Sequence, residues 1–222
     1  MLRLRFALPF GVLPLFLVVV FALSGCFPYA VGTTAATVAP GEVVPTATFQ
    51  FVSDRRELEE TPDGEPANGA YASLDNEVRF GLTDASDMGV RLVGASGIVA
   101  SYKRRLAGEG DAGLAFIGGA GLVGFGTHLH AEGTLVASAP RGTLTPYGGV
   151  RAQHAFPFAS DAASLDPAIG AFAGVRFGWR DLGVSPELGV FYSPSPYLDN
   201  RDVIVVPSIT VHGDRLLQAL GM

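Results

Sequence analysis

Residues 43–212 alternate between apolar side chains and polar or small ones, and the alternation recurs in separate short segments. A period of two places alternate side chains on one face of a β-strand, whereas an amphipathic helix repeats every 3.6 residues. Around residue 80, Val78, Phe80 and Leu82 share one face, while Glu77 and Arg79 share the other. The pattern therefore predicts an all-β architecture.

Ten strands are predicted, and the connections between them alternate in length. The predicted strands are 43–53, 71–82, 87–94, 97–105, 111–124, 127–138, 143–156, 168–178, 183–193 and 202–212. Every long connection is odd-numbered, and the even-numbered ones are short turns. Transmembrane barrels have short periplasmic turns and longer outer loops. We therefore predict an up-and-down antiparallel transmembrane β-barrel of 10 strands, within a range of 8–10 because segments such as those flanking Gly94–Gly97 could merge.

Periodicity alone does not say which face of these strands points inward. The face that carries charge is sparse and mixed in sign, and the chain contains 29 Gly and 15 Phe with only 16% charged residues. These features favour a barrel with its apolar face in lipid. The alternative is a soluble, lipocalin-like periplasmic lipoprotein that binds an apolar ligand on an inward apolar face. Phe125, Trp179 and Tyr192 fall near strand ends, where an interfacial aromatic belt is expected.

The first 25 residues have the three parts of a cleaved secretory signal. Arg3 and Arg5 precede the apolar run 6–22, and Leu23-Ser24-Gly25-Cys26 follows this run directly. The run is short for a transmembrane helix and contains two prolines. The last four residues resemble the lipobox of bacterial lipoproteins. This resemblance implies that residues 1–25 are removed and that Cys26, the single cysteine of the chain, is acylated.

Residues 26–42 are small and weakly polar, which is typical of a flexible tether between a lipidated cysteine and the barrel. The loop pattern starts the first strand at the periplasmic end. We therefore expect Cys26 and its tether on the periplasmic side, beside the inner leaflet of the membrane. The barrel is predicted over 43–212, followed by a C-terminal tail over 213–222.

The hairpin around residue 85 resembles one found in bacterial outer-membrane β-barrel proteins. It runs Arg79-Phe80-Gly81-Leu82-Thr83-Asp84 and then Asp87-Met88-Gly89-Val90. The resemblance implies the outer membrane of a diderm bacterium. Membrane lipid and the barrel-assembly and lipoprotein-sorting machineries are the partners that it implies. A formal net charge of −6 argues against nucleic acid as a partner, and no cofactor is predicted.

A row of polar side chains on the non-lipid face is predicted to line the lumen, the interior of the barrel. Its members are Glu77, Arg79, Arg91, Lys103, His128, His130, Glu132, Arg151, Arg176 and Glu187. A ten-strand barrel is little wider than an eight-strand barrel, whose side chains fill its interior. We expect an ion-pair network that fills the lumen, with a narrow small-solute channel as the alternative.

His128, His130 and Glu132 share one strand face and form the sharpest candidate for a metal or acid–base site. Same-face neighbours lie about 7 Å apart on a strand, so a single strand seldom supplies three ligands to one ion. We therefore predict no metal site and no enzyme. The enzymatic alternative is a surface barrel acting on lipid or peptide, like the ten-stranded omptin proteases. Its candidate residues are His128, Asp161, Asp166, Asp199 and Asp202.

Overall fold

The computed structural model describes residues 27–52, 71–158, 167–179, 182–193 and 202–213, and these residues form ten β-strands. The strands are β1 (Val43–Val52), β2 (Tyr71–Thr83), β3 (Ser86–Val93), β4 (Gly97–Glu109), β5 (Ala112–Val123), β6 (His128–Ser138), β7 (Leu144–Pro157), β8 (Ala168–Trp179), β9 (Leu182–Ser193) and β10 (Asp202–His212). Within the described ranges, no helix has the length and apolar character needed to cross a membrane.

The strands close into an up-and-down antiparallel barrel. Each strand pairs with its sequence neighbours, and β1 pairs with β10 in a register that runs from Thr46 opposite His212 to Gln50 opposite Ser208. A tight turn with a hydrogen bond from Ser96 N to Val93 O separates β3 from β4. The ten-strand count and the closed antiparallel topology predicted from the sequence are confirmed.

The two ends of the barrel differ in the length of their connections. The turn end holds the β2–β3, β4–β5, β6–β7 and β8–β9 connections together with Val43 and His212, and its longest connection is 139–143. The loop end holds the other five connections. Three of these are long (53–70, 158–167 and 194–201), and two are tight (94–96 and 124–127).

The apolar faces of the strands point outward, and their polar faces point into the lumen. In β9, Leu188 is 51% exposed while its neighbour Glu187 is only 6% exposed. Large exposed apolar side chains continue around the barrel on β2, β3, β6 and β7, as at Phe80, Leu92 and Val150. This is the inverse of a soluble barrel and places the outer surface in lipid. The lipocalin-like alternative, which needs an inward apolar face, is therefore wrong.

The expectation of a flexible tether at the turn end is wrong for residues 27–38. These residues, which we call the lumen segment, run through the interior of the barrel, and Tyr29, Val31, Ala35 and Val38 are all less than 9% exposed. The segment begins at the loop end and reaches β1 at the turn end, so it runs antiparallel to β1. Small side chains let it share the lumen with the polar row. Cys26 and residues 214–222 lie outside the described residues.

The chain leaves the lumen and enters β1 by a close crossing over β2. Gly41 N donates to Gly81 O (3.1 Å), and Gly81 N donates to Glu42 O (3.0 Å). A Cβ atom on Gly81 would lie 1.8 Å from the carbonyl oxygen of Ala39. Only glycine at position 81 therefore allows the lumen segment to pass this close to the barrel wall.

Candidate functional site: the occupied lumen

The lumen segment is extended but has no strand partner, so its backbone groups need hydrogen bonds from the wall. Side chains of four strands accept from its N–H groups. The contacts are Ala30 N to Gln50 Oε1 (2.8 Å), Val31 N and Gly32 N to the two carboxylate oxygens of Glu187 (2.8 Å each), Ala35 N to Ser138 Oγ (3.0 Å) and Val38 N to Asp87 Oδ2 (2.9 Å). Side chains of the wall thus provide the hydrogen-bond acceptors that a neighbouring strand would otherwise provide for these N–H groups.

Wall cations and amides serve the oxygen atoms of the segment in the same way. Lys103 is almost fully buried, and its Nζ donates to Thr33 Oγ1 (2.8 Å), Thr34 O (3.1 Å) and Ala36 O (2.9 Å). Gln50 Nε2 donates to Phe27 O (2.9 Å), so the Gln50 amide binds the segment through both of its polar atoms. These contacts fix the segment along its whole length.

Gly32 marks a point where only glycine fits. Its φ is +60°, a left-handed conformation that L side chains adopt at a cost. A Cβ atom there would also lie 2.1 Å from Thr210 Oγ1 on β10. This conformation directs Gly32 N toward Glu187 beside Val31 N, so one carboxylate receives two consecutive backbone N–H groups.

The other side of the segment packs on an apolar part of the wall. Val31 and Ala35 belong to one buried cluster with Ala115, Ile117, Val136, Tyr147 and Phe172 of β5–β8. Near the loop end, the Tyr29 ring lies 5.0 Å from the Phe191 ring. Inward glycines leave room for these rings, since a Cβ on Gly174 would lie 2.6 Å from the ring of Tyr147. The lumen therefore matches the segment in shape as well as in polarity.

Two buried ion networks occupy the wall beside the segment. In the first, Arg79 binds Glu77 (2.5 Å) and Asp87 (2.5 Å), and Arg91 also binds Glu77 (3.3 Å). In the second, Glu132 binds Arg151 and hydrogen-bonds His130 Nε2 (3.0 Å). Nearer the turn end, Arg176 pairs with Asp111 (2.8 Å), whose side chain is 38% exposed. The pairs of the two buried networks compensate charges that the barrel keeps away from water.

The structure places all ten predicted lumen residues on the inward face. Eight of them are buried, namely Glu77, Arg79, Arg91, Lys103, His130, Glu132, Arg151 and Glu187, while His128 and Arg176 are half-buried. Sequence reasoning missed Gln50, Asp75, Asp87 and Ser138, and it missed the lumen segment as the partner of Gln50, Asp87 and Ser138. The inward parity of Gln50 and Asp75 with Thr48 and Glu77 was the available signal.

His128 does not join His130 and Glu132 in one site. Its Nδ1 hydrogen-bonds Thr127 Oγ1 (2.8 Å), whereas His130 faces Glu132. In the described part of the chain, no three His, Cys, Asp or Glu side chains come together as a metal site. Of the residues in the enzymatic alternative, Asp161, Asp166 and Asp199 lie outside the described residues.

Comparison with solved structures finds barrels of outer membranes at low identity. An outer membrane channel from Pseudomonas putida F1 has 11% identity and a TM-score of 0.46, covering 81% of this chain and 97% of that one. Neisserial surface protein A has 11% identity and a TM-score of 0.37, with coverages of 77% and 94%. The outer membrane protein OprG from Pseudomonas aeruginosa has 14% identity and a TM-score of 0.31, with coverages of 82% and 97%.

No family model matches the sequence, and no curated protein is similar to it. The assignment as a transmembrane β-barrel therefore rests on the strand pairing and on the two faces of this chain itself.

Proposed function

We propose that this protein is a non-enzymatic, lipid-anchored outer-membrane β-barrel that its own N-terminal segment keeps closed. It acts as a structural barrel and is not a permanently open channel for small solutes. The observation that carries this proposal is the lumen segment, which is buried and hydrogen-bonded to wall side chains from Gln50 at one end to Asp87 at the other. A water path would have to displace these contacts.

The space left in the described lumen supports the same conclusion. Two cavities, of about 310 Å³ and about 330 Å³, lie toward the turn end. The first is lined by Arg79, Lys103, Arg176 and His212, together with Thr34 and Val38 of the lumen segment. The second is lined by Asp84, Arg105 and Asp111, together with Thr37 of the lumen segment. The lumen segment thus borders both cavities. On the loop-end side of the cavities, Phe27, Tyr29 and Val31 pack into the lumen.

Ion conductance in planar bilayers tests the closed state. The purified full-length barrel is expected to show no steady conductance above the bare membrane. A variant in which a Gly-Ser repeat of equal length replaces residues 28–38 loses the wall contacts and the apolar cluster, so it is expected to conduct steadily. The repeat keeps the chain length and the crossing at Gly81.

A matched control replaces an equal number of residues in the connection 53–70, which leaves the lumen segment unchanged, and it is expected to stay closed. Steady conductance of the wild-type barrel at the level of the 28–38 variant would contradict the proposal. Both variants must also show native migration on unheated gels, which separates pore opening from misfolding.

The lipid anchor is supported by the lipobox ending at Cys26 and is tested by acyl labelling. Cells grown with a palmitate analogue are expected to incorporate it into the wild-type protein and to lose that label completely in Cys26→Ser, because a thioether-linked lipid needs the sulfur atom. The barrel of Cys26→Ser is still expected to insert, since its outer surface alone meets lipid. Equal labelling of both proteins would refute the anchor.

A further inference from the structure

The lumen segment joins the two ends of the barrel, and its contacts define which residue lies where. Phe27 O accepts from Gln50 near the end of β1, and the Phe27 ring lies 5.8 Å from the ring of His130 at the start of β6. Phe27 also packs against the clusters of Val52 and Val93, the last residues of β1 and β3. Phe27 is therefore at the loop end.

The other end of the segment is fixed just as firmly. Thr37 Oγ1 donates to Asp84 O in the β2–β3 turn (2.9 Å), and Val38 N donates to Asp87 of the same hairpin (2.9 Å). Twelve extended residues reach at most about 40 Å. That length is enough to cross the apolar band of a transmembrane barrel, which is about 25 Å tall. The segment thus spans the membrane inside the barrel.

We propose that residue 26 emerges at the cell surface, and that the acyl group on Cys26 enters the outer leaflet of the outer membrane. This inference rests on the proposed function for the identity of the membrane and for the acyl group. It differs from the periplasmic anchor expected from the loop pattern. One trans peptide unit separates Cys26 from Phe27, and consecutive Cα atoms lie 3.8 Å apart. An acyl group at residue 26 therefore starts at the loop end, a full membrane thickness from the inner leaflet.

The rim beside Phe27 gives this anchor a route to lipid. The cluster that Phe27 contacts includes Val93, Val99 and Val123, which flank the tight connections 94–96 and 124–127. A hydrogen bond from Phe125 N to Ser96 O (2.7 Å) joins these two connections. Phe125 is 68% exposed, and Leu92 and Ile98 are exposed on the outer wall below it. The two connections at this point are short, and the strand ends below them carry exposed apolar side chains, so an acyl chain can pass over the rim here without crossing a long connection.

An epitope tag inserted between Cys26 and Phe27 tests the inference in intact cells of a diderm bacterium. Two further chains provide reference positions, one with the same tag within 159–166 at the loop end and one with it within 139–143 at the turn end. Antibody binding to intact cells is expected to be equal for the N-terminal and loop-end tags. The turn-end tag is expected to bind antibody only after the outer membrane is permeabilised.

An N-terminal tag that behaves like the turn-end tag would overturn the inference while leaving the outer-membrane barrel intact. Failure of the proposed function gives a different result, in which the protein is absent from the outer-membrane fraction and the three tags do not differ. Because the tag precedes Phe27, every wall contact of the lumen segment is retained in the tested chain.

Discussion

Replacement of Glu132 by glutamine is expected to lower the free energy of unfolding by about 3–5 kcal/mol, because it leaves a buried arginine without its counter-charge. Glu132 and Arg151 are each about 1% exposed in their side chains and are paired directly. Water cannot reach Arg151 to replace the lost carboxylate. Urea unfolding in detergent micelles or lipid vesicles, followed by migration on unheated gels, measures the change.

The same barrel offers a matched control for this effect. Asp111 pairs with Arg176 at 2.8 Å, but the Asp111 side chain is 38% exposed. Asp111→Asn is therefore expected to cost at most about 1 kcal/mol, as is usual for ion pairs in contact with water. The double variant Glu132→Gln/Arg151→Gln should recover much of the single loss, since no isolated charge remains. Equal unfolding of Glu132→Gln and Asp111→Asn would contradict a role for burial.

An arginine at Leu188 is expected to destabilise the inserted barrel by about 2–4 kcal/mol, the cost of that side chain at the middle of the bilayer. Leu188 lies at the centre of β9, opposite Ala173 and Pro207 on the flanking strands, and is 51% exposed. Unfolding from lipid vesicles measures the loss, and the yield of inserted barrel in cells gives a second readout.

Depth in the membrane supplies the control for the arginine variant. Leu182 is on the same strand and is similarly exposed (44%), but it lies at the turn end. Leu182→Arg is expected to cost only about 0–1 kcal/mol, because its side chain reaches the interface. If both variants insert and unfold alike, the outer face of β9 does not contact hydrocarbon.

The barrel could be predicted from the sequence because its two faces obey one local rule. Val78, Phe80 and Leu82 point out, while Glu77 and Arg79 point in, and the period of two that encodes this is independent of long-range contacts. The connections supplied the topology, since odd and even ones differ in length. The partners within the ion pairs could not be predicted in the same way. Arg79 pairs with Asp87 of the next strand, and only the register of that hairpin brings the two side chains together.

The lumen segment could not be predicted because nothing in its own composition requires burial. Residues 33–38 are Thr, Ala and Val, which are equally typical of a tether. The burial of the lumen segment depends on acceptors that lie far away in the chain, such as Glu187 for Val31 N and Ser138 for Ala35 N. The aromatic start, Phe27 and Tyr29, is the one feature unusual for a flexible linker. These two aromatic residues indicate burial in the lumen only once the inward face of the barrel is known.

The pairing of β1 with β10 from Thr46 to Gln50 sets an order of events during folding. Until that seam forms, the lumen segment can enter sideways through the gap between the first and last strands. Once it has formed, the segment could enter only end-on, carrying any attached acyl chains through a narrow polar interior. Docking of the N-terminal residues on the open, curved sheet before its edges join avoids that passage. Closure of the barrel then encloses the segment that precedes its first strand.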